Sequence, residues 1–277
     1  DNIYKSNHNI SLVITQKDKR RGRGKKMQYT PVKGRALELG LEVYQPDNIN
    51  SKEAIDKMKK LDPDCIVVVA YGQILKEEIL NMPEYGCVNI HASLLPKYRG
   101  AAPINWAIIN GEKETGISIM EMDKGLDTGP ILNIKSIPIE DSDDAISIHD
   151  KLSVLGGEMI LETLEDLEKG TINKTFQDDN LSNYAPILTK NMGKINWDDS
   201  GKNIINLIRG LKPWPSAYTF YNNQNIKIHD AKMIEKFSNE ENGMIVKVND
   251  DGIFVNCEDK CIVIEVLQFP GKRKMHI

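Results

Sequence analysis

Apolar and polar positions along the chain keep one rhythm up to about residue 185 and another beyond it. In the first part, short apolar runs alternate with stretches of helical spacing. Ile10-Ser-Leu-Val-Ile14 and Leu41-Glu-Val-Tyr44 read as short strands, the second ended by Pro46. Cys65-Ile-Val-Val-Val-Ala70 is a continuous apolar run of strand length, which predicts a parallel strand covered on both faces. Between these strands, Gly34–Leu39 is predicted as a short helix stopped by Gly40, and Lys52–Leu61 sets Ile55, Met58 and Leu61 on one helical face. A helix over Lys76–Leu80 follows. Val88 and Ile90 then alternate with Asn89 and His91 in a further strand, and Thr115–Met122 and Ile131–Ile137 are two more. From Ser147 to about Glu168, Ile148, Leu152, Leu155 and Met159 recur at helical spacing until Lys169-Gly170 ends the helix. Strands alternating with helices predict an α/β fold with a mostly parallel, Rossmann-like sheet.

After Ala185-Pro-Ile-Leu-Thr-Lys190 the rhythm shortens. One helix (Lys202–Leu211) and the segment Lys212-Pro-Trp-Pro215 lead into five short strands: Ala217–Tyr221, Ile226–Met233, Met244–Val248, Gly252–Asn256 and Ile262–Leu267. Turn residues at Asn222-Asn223, Asn249-Asp250-Asp251 and Glu258-Asp259 separate several of them. Five strands so spaced predict a small OB-like β-barrel, an architecture often used on nucleic acids. The expected division is residues 1–188 and 189–277.

The composition is that of an ordinary globular protein, 40% hydrophobic and 27% charged over 277 residues. No apolar run approaches the roughly 18 residues a membrane span needs, and the start lacks a signal-peptide pattern. We read the chain as a cytoplasmic monomer, with Cys65, Cys87, Cys257 and Cys261 as reduced thiols. Histidines 8, 91, 149, 229 and 276 are scattered without ligand spacing, so no metal is implied. Charge is more informative. The net value is −4, yet Lys17–Lys26 holds seven cations (Lys17, Lys19, Arg20, Arg21, Arg23, Lys25 and Lys26) against Asp18 alone. That loop carries +6 and the remainder −10. An acidic protein that gathers its cations in one loop is expected to steer a polyanion to that place.

Candidate chemistry sits at Cys87-Val-Asn-Ile-His-Ala-Ser-Leu-Leu-Pro-Lys-Tyr-Arg-Gly-Ala-Ala-Pro103. Asn89 and His91, two apart on a strand, share a face and lie roughly 7 Å apart. The strand then breaks into a loop, at the sheet edge where open α/β folds bind ligands. Further on, Asp123-Lys-Gly-Leu-Asp-Thr-Gly-Pro130 turns its backbone around one carboxylate, Asp127.

The run Asn-Ile-His-Ala-Ser-Leu-Leu-Pro, then Arg-Gly-Ala-Ala-Pro-Ile, then Gly-Leu-Asp-Thr-Gly resembles the folate-dependent formyltransferases, and the likeness extends from Leu12 to Lys274. The resemblance implies a formyltransferase catalytic domain that moves a formyl group from 10-formyltetrahydrofolate to a primary amine, with Asn89, His91 and Asp127 catalytic. It also implies a folate site including Ser93, Leu94, Leu95 and Pro96, with Gln73, Ile74 and Leu75 facing the pterin. Family members differ in acceptor, some formylating nucleotide-linked amino sugars. The basic loop and the C-terminal barrel favour initiator methionyl-tRNA; the resemblance implies that Arg23 enters the acceptor stem, and Lys19, Arg20, Arg21, Lys25 and Lys26 are expected to contact phosphates. A tRNA-binding protein that has lost catalysis is the remaining alternative. Against the family pattern, a first strand and its Gly-Thr-Pro-type loop are missing ahead of Ser11, and a segment is missing after Met275. The resemblance therefore implies a chain incomplete at both ends, with the absent strand between Ile10–Ile14 and Cys65–Ala70; direct pairing of those two would contradict this.

Overall fold

The computed structural model describes residues 1–21 and 26–277, with backbone alone at 20, 21 and 26. Two compact units make up the chain: residues 1–91, 117–135 and 154–180 in the first, and 92–116, 136–153 and 181–277 in the second.

The first unit opens with α1 (Asn2–Lys5) and β1 (Val13–Ile14), then β2 (Lys19–Arg21) and β3 (Lys26–Gln28). β2 and β3 form an antiparallel ribbon with Lys19 opposite Gln28. Its run of like charges hides any strand alternation, and the sequence reading treats it as a loop. α2 (Pro31–Glu38) starts three residues earlier than its apolar spacing suggests. Thr30 Oγ1 accepts the Lys33 N–H at 3.1 Å, and Pro31 takes the first helical position, where an N–H would go unused. β4 (Val43–Tyr44) pairs parallel with β1. α3 (Lys52–Leu61) begins at Ser51, whose hydroxyl accepts the Ala54 N–H, and buries Ala54, Ile55 and Met58. β5 (Ile66–Val68), α4 (Glu77–Leu80) and β6 (Cys87–His91) follow, with β5 and β6 parallel.

β7 (Arg99–Gly100) and α5 (Pro103–Ile109) belong to the second unit, whereas β8 (Glu114–Glu121), β9 (Ile131–Pro138) and α6 (Ala145–Lys169) each contribute to both. The sheet order is β5-β6-β8-β9, and β8 joins β6 antiparallel. Pairing is thus parallel on one side of β6 and antiparallel on the other. Among the described residues β5 pairs with β6 alone; its residues are half-buried and Val69 is exposed. Among the described residues, β1 pairs with β4 and stands in a different sheet from β5.

The strand that matters most, β6, is held on both faces. Cys87 is fully buried in a cluster with Ile55, Met58, Leu75, Ile79 and Leu80. On the opposite face α6 comes close to Ile90. A Cβ at Gly156 would lie 3.0 Å from Ile90 Cγ2, so the glycine is what permits this approach. A glycine inside a helix costs about 1 kcal/mol, which close packing offsets. All four cysteines are free, and burial pushes the Cys65 and Cys87 thiols up to about 12, so both are protonated at neutral pH.

In the second unit β10 (Tyr184–Ala185) pairs parallel with β7, and α7 (Gly201–Gly210) starts at Ser200, which accepts the Asn203 N–H. The strands are β11 (Ala217–Tyr221), β12 (Gln224–Glu235), β13 (Ile245–Asn249), β14 (Gly252–Asn256), β15 (Lys260–Gln268) and β16 (Met275–His276). They pair antiparallel along the path β11-β12-β15-β14-β13, with β16 added against β15. Ile204 and Ile208 of α7 pack on Ile226, Ile228, Ile262 and Ile264 to form the core of this unit.

Candidate active site

β6 presents Cys87, Asn89 and His91 on one face, as period-two alternation requires. Toward the carboxyl end of the strand the apolar cover gives way to polar groups. Asn89 lies between Val68 of β5 and Met120 of β8, and His91 lies opposite the buried Ser118. The Asp127 carboxylate meets the imidazole there: His91 Nδ1 is 3.7 Å from Asp127 Oδ2, with the side chains 6% and 14% exposed. Two nearly buried titratable groups at this separation interact far more strongly than they would in water.

The loop carrying Asp127 is built around that carboxylate. Asp127 has φ +54°, a left-handed conformation that a non-glycine residue adopts only at a cost. Asp123 Oδ1 accepts the Gly125 N–H at 2.9 Å and the Thr128 hydroxyl at 2.7 Å, closing the loop on itself. Gly129 packs so tightly on the carbonyl of Glu121 that a Cβ would collide with it. From outside, Gln177 Nε2 donates to the carbonyls of Asp127 (2.9 Å) and Gly129 (2.7 Å). Lys124 Nζ is 3.0 Å from Glu77 Oε1 of α4, which ties the loop to the segment after β5. Sequence reasoning found Asp127 but missed Asp123 and Gln177. Gln177 lies in a polar stretch with neither periodicity nor motif, so nothing local marks it.

In that segment after β5, Gln73 and Leu75 are occupied structurally. Gln73 Oε1 accepts the Ile49 N–H at 2.9 Å, and Leu75 is buried in the core. Ile74 is 82% exposed. The segment shares its edge with the end of β1, because Gln16 Nε2 donates to the Tyr71 carbonyl at 2.7 Å over the face of Gly72. The basic ribbon leaves the sheet at this same edge. Arg23 and Lys25 lie outside the described residues, as do the side chains of Arg20, Arg21 and Lys26. Lys19 Nζ donates to Gln16 Oε1 at 2.9 Å. Asp18, the loop's one carboxylate, is engaged by Lys33 at 2.6 Å, which holds its carboxyl below the usual range and directs its charge away from the ribbon. Ser93, Leu94, Leu95 and Pro96 fall in the second unit. There Ser93 Oγ donates to the Lys97 carbonyl at 2.6 Å, Leu95 is buried, Leu94 and Pro96 are half-buried, and the Leu95–Pro96 peptide is cis.

An amide and an imidazole thus stand at the carboxyl end of an α/β strand, faced by a loop-held carboxylate. Residues 1–164 match the formyl transferase family and residues 187–277 match the formyl transferase C-terminal domain. The chain belongs to the formyl transferase family. It is similar to the methionyl-tRNA formyltransferase of Caldanaerobacter subterraneus subsp. tengcongensis, 52% identical over 276 residues that cover 99% of this chain and 89% of that protein. The methionyl-tRNA formyltransferase of Clostridium novyi is 47% identical over 272 residues, covering 98% and 88%. Among solved structures, HypX from Aquifex aeolicus in complex with tetrahydrofolic acid matches with TM-score 0.67 and 18% identity over 96% of this chain and 45% of that one. The N-formyltransferase from Helicobacter canadensis, in complex with folinic acid and dTDP-3-aminofucose, matches with TM-score 0.65 and 19% identity over 92% and 99%. At those identities the two structures share the fold.

Proposed function

We propose that this protein transfers the formyl group of 10-formyltetrahydrofolate to the free amino group of initiator methionyl-tRNA. The observation that carries this reading is the 52% identity over nearly the whole chain to a relative named methionyl-tRNA formyltransferase. In the reaction the amine nitrogen attacks the formyl carbon, and its carbonyl oxygen becomes an oxyanion. The bond from that carbon to the folate nitrogen then breaks. One proton leaves the amine and one reaches the folate nitrogen, so charge balances without a covalent enzyme intermediate.

Asn89 donates its amide N–H to the oxyanion, where a well-placed donor contributes about 3 to 4 kcal/mol to the transition state. The His91 imidazole takes the proton from the amine and returns one to the folate nitrogen, and Asp127 orients its ring. The sequence of roles is supported by the 3.7 Å separation of His91 and Asp127 and by Asn89 sharing the His91 face. The residues present also fit a folate. Val69 and Ile74 after β5, and Leu126 beside Asp127, are exposed apolar side chains of the kind a flat ring would cover. Gln73, Ile74 and Leu75, and separately Ser93, Leu94, Leu95 and Pro96 after β6, are the folate-binding residues that the likeness to formyltransferases supports. The cations Lys19, Arg20, Arg21, Arg23, Lys25 and Lys26 engage tRNA phosphates beside the acceptor end, and the C-terminal unit lies along the acceptor arm.

Incubation with a labelled formyl donor and either charged initiator tRNA or a nucleotide-linked amino sugar tests the acceptor. Label on the methionyl amine is expected. Label on the sugar alone would replace this reading with the sugar one, and label on neither would leave a tRNA-binding protein without the reaction.

A further inference from the structure

We infer that Gln177 is a positioning residue for Asp127, holding the carboxylate at His91 by clamping the backbone of the loop that carries it. The inference rests on the proposed formyl transfer for its kinetic consequences, and on the geometry alone for its structural ones. Asp127 stands in a left-handed conformation, φ +54°, which a residue with a Cβ adopts less readily than extended or helical backbone. Such a residue persists only where its surroundings over-determine it. The bonds made by Asp123 are internal to the loop: they give it a shape but leave its orientation open.

Orientation comes from the segment 174–177. Lys174 pairs with Glu121, where the loop begins. Thr175 exchanges two backbone hydrogen bonds with Ile131, just after the loop ends, at 2.8 and 2.9 Å. Two residues further on, the amide of Gln177 reaches the apex and donates to the carbonyls of Asp127 and Gly129 at 2.9 and 2.7 Å. Entry, apex and exit are therefore braced by three residues of one four-residue segment. A side-chain amide nitrogen carries two N–H groups, and two carbonyls are what it meets here. Glutamate in its place would set oxygen against oxygen, and asparagine is a methylene too short. The His91–Asp127 separation of 3.7 Å lies beyond a tight hydrogen bond, so a small swing of the loop is enough to part the two groups.

The test is a double-mutant cycle on kcat, with KM measured for both substrates. Gln177→Ala and the shape-preserving Gln177→Met should each lower kcat about 10- to 100-fold, the scale of a 1 Å misplacement. KM should stay within about twofold, because neither substrate is held by Gln177. Gln177→Glu should give no rescue. In an Asp127→Ala background, Gln177→Met should cost nothing more, whereas in an Asn89→Ala background it should cost its full factor. An equal loss in both backgrounds, or an unchanged kcat, would overturn the inference. A crystal structure of Gln177→Met gives the independent readout: Asp127 displaced from His91 is expected, and an unmoved carboxylate would also overturn it. Should the wild type fail to formylate methionyl-tRNA, the functional reading falls while the crystal structure still decides the role of Gln177.

Discussion

His91 and Asp127 are useful to each other only because neither is well solvated. At 6% and 14% exposure, the pair sits where a charge interaction is worth several times its value in water. If both residues act on the proton rather than on binding, His91→Ala and Asp127→Ala should lower turnover by about 10² to 10⁴. The dissociation constant for a non-reactive folate analogue should stay within a few-fold, as measured by titration calorimetry. A comparable loss of folate affinity would mean that these side chains bind the co-substrate instead. At this scale the sequence was most legible where a residue type has few uses: an Asn-x-His pair ending a strand, or an aspartate flanked by glycines. It was least legible at Gln177, whose amide acts through two carbonyls about 50 positions earlier in the chain. No local pattern records such a pairing.

Elements followed the apolar rhythm closely where a single face is buried. The five strands read in the C-terminal region correspond to β11 through β15, because alternation and turn residues agree there. β2 and β3 escaped notice because seven cations leave no apolar face to read, and α2 was shortened because a cap and a proline, not apolar spacing, set its start. The long helix α6 shows how strongly caps matter. Asp144 Oδ1 accepts the Ile146 and Ser147 N–H groups at 2.9 and 3.0 Å. The preceding Asp143 is buried, held by Lys151 at 2.7 and 2.8 Å, by the Ser147 hydroxyl at 2.8 Å and by the Glu140 N–H at 2.9 Å. Burial raises the Asp143 pKa, but these partners more than offset it and hold the carboxyl below its ordinary value. A depressed pKa contributes stability that is present above the unfolded value, near 3.9, and lost as pH falls through the lower folded value. Asp143→Asn should therefore cost about 1 to 3 kcal/mol of unfolding free energy at pH 7, measured in urea. That difference should shrink as pH falls below about 4; a difference that persists at pH 2 would assign the effect to packing.

The loop Lys17–Lys26 carries +6 in a chain of net charge −4, and the proposed function assigns to that contrast the attraction of a polyanionic acceptor. Asp47 is paired with Lys17 at 2.5 Å and Asp18 with Lys33, so both carboxylates are engaged away from the cations that follow. Substituting any one of Lys19, Arg20, Arg21, Lys25 or Lys26 by alanine should weaken tRNA binding. It should also reduce the slope of log affinity against log salt by about 1 for each phosphate left without its cation. Arg23→Ala should lower formylation more than any other single change in the loop; an unchanged rate would separate the loop from the acceptor end. Fold class was legible at this scale from alternating strands and helices, but the half-buried state of β5 was not, because a continuous apolar run does not record how far each face is covered. The most direct test of the account is a single-turnover measurement of formyl transfer to methionyl-tRNA, with enzyme in excess and the methionine released from its ester for analysis. Wild type is expected to yield N-formylmethionine, and Asp127→Ala to do so at least about 100-fold more slowly. Unformylated methionine from the wild type, or equal rates from the two proteins, would contradict it.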